Sequence, residues 1–156
     1  MDTLAIFGLQ LVLSLIVFAL IAKWYVSPWL AEKSIQFALI LLIFPHAFRH
    51  VGLTFFVPGV VGASLPASFA DMAAYGDLIS GLLAIVVLVT LRKNWNLALP
   101  LAWLFNIVGT IDLLNALSHA DVVPYLGATW FIPTFFVPLL LVTHFMIFAR
   151  LLRVKR

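Results

Sequence analysis

An arginine lies in the middle of an otherwise apolar stretch of the chain, with two histidines close to it. Residues 44–50 read FPHAFRH, so Arg49 follows His46 by three residues and directly precedes His50. At about 100° per residue, an α-helix would carry one polar stripe about 140° wide, formed by His46, Arg49, His50 and Thr54. An arginine at the centre of a membrane helix costs about 2.5–3.5 kcal/mol. Its side chain must therefore face protein or water and find partners.

Two other apolar stretches carry the acidic and amide groups with which Arg49 can pair. One of them, with the turn that follows it, has four polar side chains at near-helical spacing: Asn106, Asp112, Asn115 and His119. In an α-helix the last three fall within about 60° of one another. The other stretch presents a face of polar and small residues suited to close helix packing: Asp77, Ser80, Gly81 and Ala84.

Depth along the helices predicts which of these groups meet. With about 1.5 Å of rise per residue, His46 lies near the centre of its helix, and Arg49 and His50 lie about 5–6 Å toward one end. Asp77 and Asp112 fall about 7–8 Å toward the same end. We therefore expect an oxygen of Asp77 or Asp112 within about 4 Å of the Arg49 guanidinium, the usual ion-pair limit. The remaining carboxylate is expected to approach His46 or His50, directly or through water.

Several ionisable groups in one layer predict a polar pocket in the outer half of a helical bundle, which binds, senses or moves a small molecule or a proton. The predicted ligand-binding or proton-linked residues are His46, Arg49, His50, Asp77, Asn106, Asp112, Asn115 and His119. Arginine, histidine and amide donors suit a carbonyl, carboxylate or quinone-like group, so a small apolar or anionic ligand is the expected partner. The 14 Phe and 5 Trp residues suit the apolar body of such a ligand.

Three other chemistries remain open for the same residues. His46 and His50 have the spacing of a helical zinc pair, with Asp112 as a third ligand, although Arg49 between them opposes a metal. A haem b would take two histidines as axial ligands, and His144 would be one candidate. An Asp/His acid–base pair would serve a membrane enzyme. The sequence has no recognisable Ser-His-Asp, P-loop or GxSxG pattern, identifies no catalytic residue and leaves the cofactor unknown.

The composition indicates that these residues lie in a membrane-embedded bundle. Of 156 residues, 65% are hydrophobic and 10% are charged, against typical globular values of about 45–50% and about 25%. The 0 Cys exclude disulfides and thiolate metal sites. We predict an all-α polytopic fold in a single domain, residues 1–156, with five transmembrane helices at about 4–22, 34–57, 72–91, 96–117 and 129–151.

The basic residues predict how the bundle lies in the membrane. Of the 9 Lys and Arg residues, all but Arg49 fall on one side of a five-span arrangement: Lys23, Lys33, Arg92, Lys93, Arg150, Arg153, Lys155 and Arg156. The positive-inside rule then gives an N-out and C-in topology. The expected location is a plasma membrane, in particular a bacterial inner membrane. Because the basic charge is explained by orientation, we expect no nucleic-acid partner.

The connections between the spans predict local geometry. The short segment 92–95 makes the third and fourth helices antiparallel neighbours, and residues 23–33 are expected to connect the first two spans. Pro45 predicts a kink, because it lacks an N–H group and frees the carbonyl of Leu41. Residues 58–71, rich in Gly, Pro and small side chains, are expected to form an outer loop or shallow cap.

A structural or accessory role is the alternative to a binding pocket. Polar side chains between helices also hold small membrane proteins together, and a buried Arg–Asp pair can serve assembly alone. A chain with short loops can join a homo-oligomer or a larger membrane complex through its lipid-facing surface. The lipid bilayer is the expected partner under both interpretations.

Overall fold

The computed structural model describes residues 2–153, which fold into an all-helical bundle. Five helices are long and apolar enough to cross a membrane: α1 Thr3–Ala31, α2 Ile35–Phe56, α3 Ala67–Arg92, α4 Ala98–Leu117 and α5 Gly127–Leu151. Residues 2–153 contain no strand, and their one extended pairing is an isolated bridge between Pro58 and Val61. The predicted number of helices is confirmed, and five apolar helices are compatible with a multi-pass membrane protein. Lys155 and Arg156, counted in the charge asymmetry, lie outside the described residues.

α1 is longer than predicted and lies at the edge of the bundle. The α-helix Thr3–Ile21 continues through a π-helical turn, Ala22–Val26, into a further helical turn, Ser27–Ala31. The predicted connection over residues 23–33 is therefore wrong for all but its last residues. Pro28 follows the π-helical turn directly and does not interrupt the helix. Most side chains of α1 are exposed, so this helix is peripheral.

α2 changes its winding at the proline. Ile35–Ile43 is α-helical and is capped by the Ser34 hydroxyl, whereas Phe44–Phe56 is a 3₁₀-helix with Pro45 in its first turn. Runs of 3₁₀-helix seldom exceed three or four residues, and a longer one often marks a functional segment. The irregularity predicted at Pro45 thus takes the form of a change in helix type.

α3 is the central helix of the bundle. It packs along the 3₁₀ segment of α2 and along α4, so the predicted antiparallel pairing of the third and fourth helices is confirmed. Small buried side chains on α3 allow the close approach: Ala73, Ala74, Ser80, Gly81 and Ala84. α5 packs against α1, α4 and the α-helical part of α2.

One end of the bundle, the capped end, is covered by residues 57–66 and 118–126. Backbone hydrogen bonds tie the first connection to the second, from the Gly62 N–H to the Tyr125 carbonyl at 2.8 Å, and to the start of α5, from the Ala128 N–H to the Val60 carbonyl at 2.7 Å. The cap that was predicted over residues 58–71 is shorter, because α3 already begins at Ala67. The opposite end, the cationic end, carries the basic residues Lys33, Arg92, Lys93 and Arg150.

Apolar side chains fill the half of the bundle toward the cationic end. This apolar cluster includes Leu39, Leu42, Ala84, Val87, Phe105 and Ile147, all buried. Two smaller clusters lie toward the capped end, one around Phe69 and one around Leu140. The buried side chains of Arg49, Asp77, His46, Asn106 and His144 lie between the apolar cluster and the capped end.

Candidate functional site

The 3₁₀ winding of α2 decides which of its side chains face the interior. In a 3₁₀-helix, residues three apart lie on one face. The buried residues of this segment follow that period: His46, Arg49, Gly52 and Phe55. Arg49 is 1% exposed and His46 is 0% exposed. His50 is turned about 120° from Arg49 by the same winding, and it is exposed.

The guanidinium of Arg49 joins three helices. Its Nε donates to Asp77 Oδ1 of α3 at 2.8 Å, and its Nη2 donates to Asp112 Oδ2 of α4. Its Nη1 donates to the carbonyl oxygen of Gly109 at 3.1 Å. All three guanidinium nitrogens are therefore held by the protein. One cation faces two carboxylates, so this ion-pair layer of Arg49, Asp77 and Asp112 has a formal charge of −1 when all three groups are ionised.

Glycines make room for the two carboxylates. A Cβ atom added at Gly52 would lie 2.6 Å from Asp77 Cβ, and one added at Gly76 would lie 2.7 Å from Asp112 Cγ. Carbon atoms do not approach this closely without a covalent bond, since their optimal separation is about 3.5–4.0 Å. The ion-pair layer therefore depends on glycine at both positions.

A layer of hydrogen-bonded side chains lies beside Arg49, between α2, α4 and α5. His144 Nδ1 lies 2.7 Å from Asn106 Oδ1, and the Asn106 amide donates to the His144 carbonyl at 3.2 Å. His46 Nε2 lies 2.9 Å from Thr143 Oγ1. The rings of His46 and His144 are 4.1 Å apart, centre to centre. We refer to His46, Asn106, Thr143 and His144 as the histidine layer.

These hydrogen bonds indicate which ring nitrogen of each buried histidine carries hydrogen. Asn106 Oδ1 can only accept, so His144 donates from Nδ1. Thr143 uses its hydroxyl hydrogen on a backbone carbonyl of α5, so it accepts from His46 Nε2. The other ring nitrogens, His46 Nδ1 and His144 Nε2, have no hydrogen-bond partner within residues 2–153. Each histidine of the layer is thus held by a hydrogen bond through one ring nitrogen, whereas its other ring nitrogen has no partner among the described residues.

A cavity of about 50 Å³ lies between the ion-pair layer and the capped end. Asp77 and Asp112 form its charged wall, and His119 also lines it. Aliphatic side chains form most of the rest, and three aromatic rings complete the lining: Phe7 of α1, Phe55 of α2 and Phe69 of α3. The Arg49 side chain is 0% exposed and does not line the cavity. The cavity therefore presents two carboxylates and an apolar wall that includes three aromatic rings to any occupant.

Comparison with protein families covers nearly the whole chain. Residues 6–152 match the family described as a domain of unknown function, DUF8737. The chain belongs to the DUF8737 family. No curated protein and no solved structure matches it.

The ion-pair layer predicted for this DUF8737 chain is confirmed, with more pairing than expected. Depth matching predicted that Asp77 or Asp112 would reach Arg49, and both carboxylates do. The expectation that a remaining carboxylate would directly contact His46 or His50 is wrong, because both carboxylates are held by Arg49. A guanidinium offers separate donors on each nitrogen, so one arginine can hold two carboxylates from different helices.

Several predicted site residues lie away from the ion-pair layer. The polar stripe predicted on α2 is wrong at His50, because the prediction assumed 3.6 residues per turn and the segment is a 3₁₀-helix. His50 is exposed, and its Nδ1 lies 3.0 Å from the Ala47 carbonyl. Thr54 of the same stripe is half-buried and bonds to a carbonyl of its own helix. Asn115 is exposed, and its amide contacts Met72 Sδ at 2.8 Å.

Two other predicted residues lie on opposite sides of the ion-pair layer. His119 follows the end of α4, contacts the Asn115 carbonyl through Nδ1 at 2.9 Å and lines the cavity. Asn106 is 0% exposed and belongs to the histidine layer. Among the predicted residues, the structure thus gathers Arg49, Asp77 and Asp112 in direct contact and places His46, Asn106 and His119 around them.

The residues of the DUF8737 chain fit neither of the metal alternatives. His46 and His50 face different sides of α2, and Asp112 is held by Arg49, so the predicted zinc ligands do not converge. Within residues 2–153, no three His, Asp or Glu side chains form a group that could hold a metal ion. The rings of His46 and His144 are too close, at 4.1 Å between centres, for a haem to lie between them.

The sequence did not predict the contribution of α5 to the histidine layer. Thr143 had no predicted partner, and His144 was considered only as a haem ligand. One signal for this contribution was available in the sequence: Thr143 and His144 are adjacent polar residues in an apolar span, and such residues face the bundle interior. A second signal was the glycine three residues after Arg49 and the glycine directly before Asp77, which permit close backbone approach.

Proposed function

We propose that the chain is an integral membrane protein with the Thr3 end of α1 outside and the Leu151 end of α5 inside. The distribution of charge supports this orientation. The cationic end carries basic residues, whereas the connections at the capped end carry Asp121 and no described Lys or Arg. Trp29 and Trp95 are exposed near the cationic end, as expected for side chains at a membrane interface. The proposed location is a plasma membrane, in particular the inner membrane of a bacterium.

Reporter fusions test this topology. A reporter that is active only in the cytoplasm should be active when fused after Asn96, at the cationic end, and after Arg153. It should be inactive when fused after Ala63, at the capped end. A reporter that is active only outside should be active at that position. The reverse pattern of activities would contradict the proposed orientation.

The cavity at the capped end is proposed as an outward-facing site at which the protein binds or senses a small molecule or a proton. One observation carries this proposal: both carboxylates of the ion-pair layer line a cavity in the outer half. The inner half is filled by the apolar cluster, with no comparable polar path to the cationic end among the described residues. A cavity without such a path supports binding or sensing more than passage across the membrane.

The charge of the ion-pair layer also supports a role beyond assembly. A single buried Arg–Asp pair would be enough to hold two helices together. The second carboxylate leaves the layer with excess negative charge in an environment of low dielectric constant, which is unfavourable unless a proton or another cation compensates it. Ionisable residues retained inside a membrane at such a cost are functional-site candidates.

Single cysteines test whether the cavity is open to the outside. The sequence has 0 Cys, so each introduced cysteine is the only thiol in the protein that a reagent can label. Ala116→Cys, on the cavity wall, should react with a small membrane-impermeant methanethiosulfonate added outside intact cells. Ala84→Cys, which is 0% exposed in the apolar cluster, should not react.

Two further cysteines control for sidedness. Ala63→Cys, exposed at the capped end, should react from outside, and Asn96→Cys, exposed at the cationic end, should react only after the membrane is made permeable. If Ala63→Cys reacts from outside but Ala116→Cys does not, the cavity is closed and the proposed outward-facing site is refuted.

A further inference from the structure

We propose that the cavity binds a small ammonium ion, an inference that rests on the proposed outward-facing site and names its ligand. Three properties of the cavity carry it: the position of the arginine, the charge of the carboxylates and the aromatic rings in its apolar wall. Each excludes a different class of ligand.

The position of Arg49 excludes anions. Its three guanidinium nitrogens donate to Asp77, Asp112 and the Gly109 carbonyl, and its side chain has no exposed surface. Among residues 2–153, no Lys or Arg side chain lines the cavity. An anionic ligand would therefore meet two carboxylates without a cationic partner, and their repulsion in a low-dielectric site would oppose its binding.

The carboxylates favour a cation. Asp77 is nine-tenths buried and lines the cavity, and its Oδ1 is held by Arg49. Its second oxygen, Oδ2, has no hydrogen-bond donor within residues 2–153. Asp112 also uses only one oxygen on Arg49. A monovalent cation would neutralise the formal charge of the layer, and an N–H group would satisfy the free carboxylate oxygens.

The aromatic rings in the apolar wall favour an ammonium ion over a metal ion. Phe7, Phe55 and Phe69 line the cavity, and the faces of aromatic rings attract organic cations. A hard metal ion needs about six or more oxygen ligands, whereas the two carboxylates supply the only charged oxygens of the lining. At about 10–15 Å³ for each water-sized occupant, a cavity of about 50 Å³ accepts a ligand of only a few non-hydrogen atoms. Methylammonium is therefore a suitable probe.

Protection of the cavity cysteine tests the proposal. The full chain carrying Ala116→Cys is reconstituted in vesicles, and its labelling rate is measured with methylammonium chloride, sodium chloride or sodium acetate at equal ionic strength, and with methanol as the neutral isostere. At about ten times its dissociation constant, methylammonium should slow labelling about tenfold by mass action. Sodium, acetate and methanol should leave the rate unchanged, and Ala63→Cys should not be protected by any of them.

Substitutions in the cavity wall then identify the recognition groups. Asp77→Asn or Asp112→Asn leaves one carboxylate for Arg49, so the ion pair stays balanced, but the excess charge is gone and protection by methylammonium should be lost. Phe69→Leu should weaken protection several-fold by removing one ring face.

Different failures have different meanings. If Ala116→Cys is labelled from outside but methylammonium gives no protection, or sodium protects equally, the ammonium proposal is overturned and the outward-facing site stands. If methylammonium still protects Ala116→Cys in the Asp77→Asn variant and in the Asp112→Asn variant, the ammonium proposal is overturned as well. If Ala116→Cys is never labelled while Ala63→Cys is, both proposals fail.

Discussion

Replacing Arg49 with methionine should destabilise the protein by about 3–5 kcal/mol, the usual cost of removing one partner from a buried ion pair. The change leaves Asp77 and Asp112 facing each other in the interior without a cation. The loss should be seen as a lower midpoint of unfolding in detergent, by heat or by a denaturing detergent. Arg92→Met, which removes an exposed cation at the cationic end, is the matched control and should change stability by less than about 0.5 kcal/mol.

The triple variant Arg49→Met, Asp77→Asn, Asp112→Asn separates a structural role from a functional one. It removes all three charges, and replacing a whole buried ionic cluster is often neutral for stability or even stabilising. We expect it to be more stable than Arg49→Met alone. If the triple variant folds as well as the natural sequence, assembly does not explain the ion-pair layer. If Arg49→Met alone retains full stability, the guanidinium has no buried partner and the layer described above is incorrect.

Replacing Gly76 with alanine should destabilise the protein by about 1–3 kcal/mol, the range for overpacked interiors. The new methyl group would lie 2.7 Å from Asp112 Cγ, so either the carboxylate leaves Arg49 or α3 and α4 move apart. Gly52→Ala should act in the same way on Asp77, whose Cβ and Cγ would lie 2.6 and 2.7 Å from the added atom. Both effects are measured by the same unfolding experiments.

Gly8→Ala provides the control for the glycine substitutions. Gly8 also lies inside a helix, but a Cβ added there has nothing within 4 Å. Alanine is the better helix former by about 0.5–1 kcal/mol, so Gly8→Ala should leave the protein unchanged or slightly more stable. Opposite signs for Gly8→Ala and Gly76→Ala would establish that crowding around Asp112, and not helix propensity, is responsible. An unchanged or higher stability of Gly76→Ala would contradict the close contact with Asp112.

The sequence alone was sufficient for the number of helices and for the central ion pair. Hydropathy is a local property of each segment, and a helix satisfies its own backbone hydrogen bonds, so five spans can be counted without knowing how they pack. Depth along a helix depends only on the rise per residue, which is why Arg49, Asp77 and Asp112 could be assigned to one layer. The high cost of an unpaired charge in lipid then made their contact the expected outcome.

The rotation of each helix, in contrast, was decided only in the tertiary structure. The 3₁₀ winding after Pro45 carries His50 away from the interior and brings Gly52 and Phe55 onto the face of Arg49. This segment packs along α3, and no pattern within α2 distinguished it from an α-helix.

Partner choice in the histidine layer has the same origin. Asn106 pairs with His144, and His46 with Thr143, because of how α4 and α2 each turn toward α5. The cavity is likewise a property of assembly, since its lining comes from every helix and from the cap. The sequence therefore determined which charged groups share a depth in the bundle. Packing determined which groups touch and what their shared surface offers to a ligand, because contact depends on helix rotation and winding as well as on depth.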